Sequence, residues 1–379
     1  MYCGNCFRDN ALVAALRKAG HEVTMVPLYL PLTLDEENQS EGTPIFFNGI
    51  NVYLEQHSSL YRNAPRWVHK IIGSESMLNW AAKQVGKTKA EEVGELTISM
   101  LKGEEGNQAR ELHELIDWLK TQSKPDIICL SNSLLLGLTR QLKQEMNAPV
   151  ACLLQNEAPY IDSMPKELRI KVWQIMSQRA KEVDQFIAPS HFYAERMQAN
   201  LKVPKNLIQV VYNGINHDGF ESECAPPNPP VLGFLSRMCK DKGLDTLVDA
   251  FIKLKSYNRI PLLKLKIGGG CGPSDKKFVQ RLKDRLHAKG LMGETEFHPN
   301  LSRSEKQTFL KSLSVLSVPA QFGESFGFYI IEAMAAGVPV VQPRCASFPE
   351  LIEITNGGVI YDHENPESLA KALEKILHN

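Results

Sequence analysis

Two short segments concentrate side chains able to handle a charged ligand. The first is Gln321-Phe-Gly-Glu324-Ser325-Phe326-Gly327-Phe328-Tyr-Ile-Ile-Glu332, in which two glutamates stand eight positions apart. Glu324 precedes an expected helix and Glu332 lies inside it, so both can project toward one pocket at different depths. The amides of Phe326, Gly327 and Phe328 would stand at that helix's N-terminus, where partial positive charge and free N–H groups favour a phosphate. A glycine there lets the backbone approach a ligand closely. The plain alternative is a strand–loop–helix unit with solvated glutamates, which a first turn favours anyway. The second segment is Gly233-Phe-Leu-Ser-Arg237-Met-Cys-Lys-Asp-Lys242-Gly243. Arg237 follows directly on an apolar strand and Lys242 precedes a glycine that opens a helix. Strand ends in open α/β sheets are where ligands bind. Two cations there could clamp a diphosphate, Arg with planar two-point geometry and Lys as a point charge. Here the plain alternative is a cationic surface loop.

Alternating short apolar runs and amphipathic stretches position these segments, the pattern of parallel α/β domains. The expected elements begin with a helix over Ala11–Ala19, stopped by Gly20, and a strand over Glu22–Pro27. Residues 45–54 read as a strand pair across Asn48-Gly49. The lysine-, glutamate- and leucine-rich stretch from about 60 to 120 reads as helices. Strands follow at Asp126–Leu130, Pro149–Leu154, Gln185–Ala188 and Ile208–Tyr212. After Pro226-Pro-Asn-Pro-Pro230, which fits a stiff linker, a fresh cycle begins. It comprises strands at Val231–Ser236, Leu262–Ile267, Val315–Val318 and Val338–Gln342, with helices over Leu244–Leu254 and about Gly327–Ala336. The boundary therefore falls near 220, giving domains 1–220 and 221–379, and two such domains imply a cleft between them.

Composition agrees with that plan. A chain of 379 residues suits two domains. Basic and acidic side chains both number 43. They divide as 23 against 25 in residues 1–220 and 20 against 18 in 221–379. Neither half has the positive field that sequence-independent nucleic-acid binding requires. No stretch reaches 18 apolar residues, so no transmembrane segment is expected. The start resembles no secretory signal. Eight scattered cysteines do not form a disulfide framework, which points to a reducing cytoplasm.

Gly233-x-x-Ser-Arg237-x4-Lys242-Gly243, together with Glu324-x7-Glu332 and the enclosed Phe326-Gly327, resembles the C-terminal domain of glycosyltransferase family 4. Asn213-Gly214-Ile215-Asn216 is similar to the Asn-Gly-Val-Asp stretch that ends the family's N-terminal domain. The matches fall in the family's order and cover most of the chain. The resemblance implies the GT-B architecture: two Rossmann-like domains facing across a cleft, an acceptor side (1–220) and a nucleotide-sugar side (221–379). It implies retaining transfer from a UDP- or GDP-linked sugar to a glycan, lipid or small-molecule acceptor. Arg237 and Lys242 then hold the diphosphate, Glu332 the ribose hydroxyls and Glu324 the donor sugar. Ser325 and the amides of Phe326, Gly327 and Phe328 face sugar and phosphates, and Gly4 lies in a donor-facing loop. No Asp-x-Asp occurs, which favours a site that requires no metal or other cofactor.

The departures are equally specific. The loop Leu153-Leu-Gln155-Asn156-Glu157-Ala-Pro159 lacks the family's histidine, and Gln155, Asn156 or Glu157 could take its place. Pro343-Arg344-Cys345-Ala346-Ser347-Phe348 replaces a Gly-Gly loop, with Arg344 a further anion contact or a surface residue. Against the family, the first N-terminal strand and the C-terminal helices are expected to be missing, as in a fragment or a misassigned start. Cys3-x2-Cys6 could be a redox pair or half a zinc site, although no second ligand pair has suitable spacing and a donor-facing loop at Gly4 fits better. Eight basic residues between Lys264 and Lys289 read as a solvated helix face. Tyr61, Arg62, Arg66, Trp67, Lys70 and Trp80 could form an amphipathic patch toward a lipid-linked acceptor, with peripheral contact at the inner membrane face; core tryptophans are the alternative. No histidine has ligand spacing. Two rival functions stand beside the transferase: a non-catalytic sugar-nucleotide-binding module, and a sugar-nucleotide 2-epimerase, whose family lacks these combined motifs.

Overall fold

The computed structural model describes residues 4–28, 36–47, 49–58, 61, 90–220, 225–363, 365 and 367–378. Its contacts divide the chain between Val211 and Tyr212 into two compact units. In the first, strands β1 (Ile128–Leu130), β2 (Val150–Leu153), β3 (Gln185–Ala188) and β4 (Ile208–Val210) lie side by side in that order, all parallel. Helices Thr139–Met146, Lys166–Arg179 and His191–Leu201 make the successive crossovers. All of β2 is buried, as an inner parallel strand covered on both faces must be. Leu112, Leu136, Val150, Leu154, Phe186 and Tyr193 belong to the core around it.

Three N-terminal expectations change. The first helix runs Gly4–Lys18, so Gly4 opens a helix instead of lying in a loop, and Gly20 follows at φ 92°. Residues 21–28 form no strand. Their hydrogen bonds include Thr43 Oγ1 donating to Met25 O (3.0 Å), the Phe47 N–H donating to Leu28 O (2.8 Å) and Arg17 Nε and Nη2 both donating to Val23 O (3.0 and 2.7 Å), isolated links that do not form a ladder. The expected turn at Gly49 is instead the start of a helix, Gly49–His57, whose Val52 and Glu55 bury on one face. Tyr61, offered as part of a surface patch, is buried, and its hydroxyl donates to Asn51 Oδ1 at 2.8 Å. The other patch residues, Cys3 and Asn48 lie outside the described residues.

The second unit holds β5 (Val231–Leu235), β6 (Lys264–Gly269), β7 (Thr295–Pro299), β8 (Val315–Leu316), β9 (Val340–Pro343) and β10 (Gly358–Tyr361). Their order is β10-β9-β8-β5-β6-β7, all parallel. The chain walks outward from β5 to β7, returns to lay β8 on the other side of β5, and walks outward again. Leu232 stands opposite Val315 and Gly233 opposite Leu316. A sheet wound in both directions from a central pair leaves a crevice at the carboxyl ends of that pair. Phe234, Leu247, Phe251, Ile267, Ile330 and Phe348 are among the fully buried members of this core.

Residues 212–220 join the second unit, so the contact division precedes the 220/221 boundary read from the sequence. Phe220 is buried in the second core, and the Tyr212 hydroxyl donates to Glu350 Oε1 at 2.9 Å. The proline-rich stretch lies within this unit and leads directly into β5. No helix among the described residues is long and apolar enough to cross a membrane.

Candidate active site

Each strand of the central pair hands over to one of the two segments singled out by residue type. Arg237 comes two residues after β5, and a single 3-10 turn over Lys240–Lys242 leads to the Leu244–Tyr257 helix. Gly243 makes that junction possible. Its φ is 72°, and a Cβ there would stand 1.8 Å from the Pro319 carbonyl oxygen. Pro319 follows β8, so the lysine turn and the glutamate loop are pressed backbone to backbone. The Gln321 N–H adds a hydrogen bond to Asp241 O at 3.1 Å.

The charged groups meet in pairs. Lys242 Nζ lies 2.7 Å from Glu324 Oε1, with both side chains only partly exposed. Arg237 points its Nε and Nη2 at the two oxygens of Asp275, at 3.1 and 2.9 Å. The Asp275 carboxyl is held below its ordinary range, first by the Arg237 hydrogen bond, and Arg237 is raised in return. Glu332, on the Phe328–Ala335 helix, receives Lys306 Nζ at 2.6 Å from the Arg303–Lys311 helix. Sequence reading had identified Arg237, Lys242, Glu324 and Glu332, but not Asp275 or Lys306.

Gly327 precedes the Phe328–Ala335 helix in the left-handed region, φ 93° and ψ 73°, with no side chain capping the first turn. That leaves first-turn amides for a ligand. Phe326 is buried, its ring edge-on to Phe328 with centroids 5.6 Å apart, and Ser325 is buried beside it. Ser347, another residue missed in sequence, fixes the loop from below. Its Oγ lies 2.9 Å from Glu324 O and 3.1 Å from Phe326 O, the hydroxyl proton shared between them. Two potential nucleophiles nearby are kept protonated. Burial, then the charge of Glu324, pushes the Cys345 thiol up to about 11 and the Tyr329 hydroxyl well above its usual value. Arg344 is exposed after β9, its N–H donating to Tyr361 O at 2.8 Å.

The family model described as Glycosyl transferases group 1 matches residues 218–379, and that described as Glycosyltransferase Family 4 matches residues 80–218. The chain belongs to glycosyltransferase family 4. Among curated relatives, a D-inositol 3-phosphate glycosyltransferase of Streptomyces griseus is 29% identical over 223 residues, 51% of this chain and 46% of that protein. An uncharacterized glycosyltransferase of Methanocaldococcus jannaschii is 25% identical over 206 residues, 51% of this chain and 50% of that protein. This chain spans about half the length of the curated relatives it matches. Solved structures extend the likeness in fold. HepE of Anabaena in complex with UDP has a TM-score of 0.61 at 17% identity, covering 93% of this chain and 90% of its own. Sucrose-phosphate synthase of Thermosynechococcus elongatus has a TM-score of 0.58 at 20% identity, covering 71% and 69%. The two parallel-sheet α/β units are thus the GT-B fold class.

In this family member the loop after β2 differs from what its sequence suggested. Glu157 is buried, and both its oxygens are engaged. Oε1 accepts from the Ser133 N–H at 2.7 Å; Oε2 accepts from the Gln155 N–H at 2.9 Å and the Tyr193 hydroxyl at 2.8 Å. Tyr193 Oη accepts in turn from the Ala158 N–H at 3.1 Å. Gln155 is buried with its amide on Ser131 O, and Asn156 is exposed. No group of three or more His, Cys, Asp or Glu side chains among the described residues is arranged to hold a metal ion.

Proposed function

We propose that this protein is a retaining glycosyltransferase that moves a sugar from a UDP- or GDP-linked donor to a glycan, lipid or small-molecule acceptor without a metal ion. One observation carries most weight: at the switch point of the second sheet, Lys242 meets Glu324 at 2.7 Å, on loops that follow adjacent strands. Breaking a sugar–phosphate bond builds negative charge on the leaving diphosphate. Cations already in position stabilise that charge as it forms, without reorganisation. Arg237 and Lys242 take this role. Lys242 exchanges Glu324 for phosphate, which leaves the carboxylate to bind sugar hydroxyls.

Glu332, oriented by Lys306, binds the ribose; Ser325 and the amides of Phe326, Gly327 and Phe328 face sugar and phosphates. Gly4, at the start of its helix, is the first unit's candidate donor contact. The first unit, ending at Val211, forms the acceptor side and the second, from Tyr212, the donor side. Retention at the anomeric carbon rests on family membership. We favour uridine as the base, because HepE neighbours were solved with UDP and UDP-glucose. Cys129, Cys152, Cys239, Cys271 and Cys345 are free thiols, which suits a reducing cytoplasm. Peripheral contact with the inner membrane face follows where the acceptor is lipid-linked.

The test is a screen of UDP- and GDP-sugars for hydrolysis or transfer by the purified protein. Arg237→Ala and Lys242→Ala should each weaken nucleotide binding by about tenfold or more. Glu324→Ala should retain binding and lose turnover. Unchanged binding in both cation variants sinks the site assignment. Binding without hydrolysis or transfer by the wild type replaces the transferase with a non-catalytic sugar-nucleotide module.

A further inference from the structure

We propose that Asp275 is a positioning residue, holding Arg237 in the one orientation that presents its remaining guanidinium edge to the donor diphosphate. The proposal rests on the assignment of Arg237 to that diphosphate, and it adds a residue that no spacing along the chain reveals. Asp275 stands at the end of the loop following β6, the strand beside β5. Arg237 therefore leaves one strand while its partner approaches from the next. The Asp275 side chain is 7% exposed and that of Arg237 is 59% exposed.

The carboxylate is itself anchored. Oδ2 accepts from the Gly272 N–H at 3.0 Å as well as from Arg237 Nε at 3.1 Å, while Oδ1 accepts from Nη2 at 2.9 Å. Ser274 Oγ, 3.3 Å from Nη2, closes the same side. Among the described residues none accepts a hydrogen bond from Nη1. The guanidinium is planar and its donors are fixed relative to one another. Fixing Nε and Nη2 therefore also fixes where Nη1 points.

An arginine on an exposed strand end otherwise samples many rotamers and must be ordered when an anion binds. A carboxylate tied to the backbone removes that cost beforehand. An adjacent anion also opposes phosphate by simple Coulomb repulsion. The proposal requires that orientation outweigh this repulsion, so the sign of the effect is a direct test.

UDP and GDP affinities are measured by calorimetry for the wild type, Asp275→Asn, Arg237→Ala and the double variant. Asn retains an acceptor for the Gly272 N–H, and melting temperature checks the fold. Expected are an affinity loss of about fivefold for Asp275→Asn and no further loss when it is added to Arg237→Ala. Equal losses in both backgrounds would indicate a purely structural role and overturn the proposal. Unchanged or tighter binding by Asp275→Asn overturns it too, because repulsion then dominates. Should Asp275→Asn unfold, Arg237→Lys takes its place: a lysine cannot span both carboxylate oxygens, so nucleotide affinity should fall about fivefold with the melting temperature unchanged. Full affinity in Arg237→Lys overturns the positioning role. Failure of Arg237→Ala to weaken binding overturns instead the diphosphate assignment beneath it.

Discussion

Glu157 in the first unit and Glu324 in the second both follow the end of a parallel strand, yet their carboxylates are answered differently. Glu157 is buried and accepts from two backbone N–H groups and a tyrosine hydroxyl. Glu324 is partly exposed and pairs with the Lys242 ammonium, with the Tyr329 hydroxyl nearby. Backbone donors cannot leave without unfolding the loop, so the first arrangement is a structural knot. A lysine on a flexible stem can exchange partners when a phosphate arrives, as the proposed site requires. Residue type and strand-end position are shared; what differs is whether the partners are fixed to the backbone or free to exchange.

The largest expected effect tests that contrast directly. Glu157→Ala strands two N–H groups and the Tyr193 hydroxyl in a dry environment, and should cost the first unit about 4 kcal/mol in urea unfolding. Glu324→Ala should cost under about 1 kcal/mol, because Lys242 can turn to water. Comparable losses in the two variants would break the contrast.

A third carboxylate sharpens it, buried against another acid. Glu55 is buried beside Glu111, and burial, then the Glu111 hydrogen bond and charge, pushes it up to about 10. Arg110, Glu114 and Tyr61 are the other titratable neighbours. Its folded pKa lies above the unfolded one, so the folded state binds the extra proton between the two. The Glu55 contribution to stability should therefore be full below pH of about 4.5 and decline as pH rises toward about 10. Glu55→Gln should flatten that decline and be about 2 kcal/mol more stable than wild type at pH 9, by chemical denaturation. A parallel decline in both proteins would remove Glu55 as its source.

The smallest effect concerns the loop beneath the exchangeable pair. Ala346 adopts φ 51° within the stretch 343–348, which replaces a Gly-Gly loop of the family, and its side chain packs against Gly323 in the glutamate loop. The left-handed region costs a non-glycine residue energy that glycine avoids, less the greater freedom glycine loses on folding. Ala346→Gly should raise stability by about 0.5 kcal/mol without altering nucleotide affinity. Weaker nucleotide binding in that variant would show the loop shaping the site beyond its backbone.

Much of the second unit was legible because its signals are local. Val231-Leu-Gly-Phe-Leu235 is a continuous apolar run, and an inner parallel strand needs nothing else. Gly243 and Gly337 mark helix ends through backbone conformations that glycine adopts freely. The N-terminal region was less legible. An Asn-Gly pair is the strongest short-range hairpin signal, yet it precedes a helix whose Val52 and Glu55 find a covered face, so packing overrode the turn.

Glu157 carried a signal of chemistry and turned out to be a buttress. Nothing in the segment 153–159 announces Tyr193 or Ser133 as its partners. The candidate site divides the same way. Residue types and spacing by themselves determined that Arg237, Lys242 and Glu324 stand in loops after strands and Glu332 inside a helix, because period and turn chemistry act over a few residues. Only the tertiary structure decided that Lys242 meets Glu324, 82 positions away, and that Arg237 is held by Asp275, 38 positions away. Those meetings follow from laying β8 beside β5 on one side and β6 on the other. Strand order is settled by the packing of the whole sheet, which no local stretch of sequence encodes.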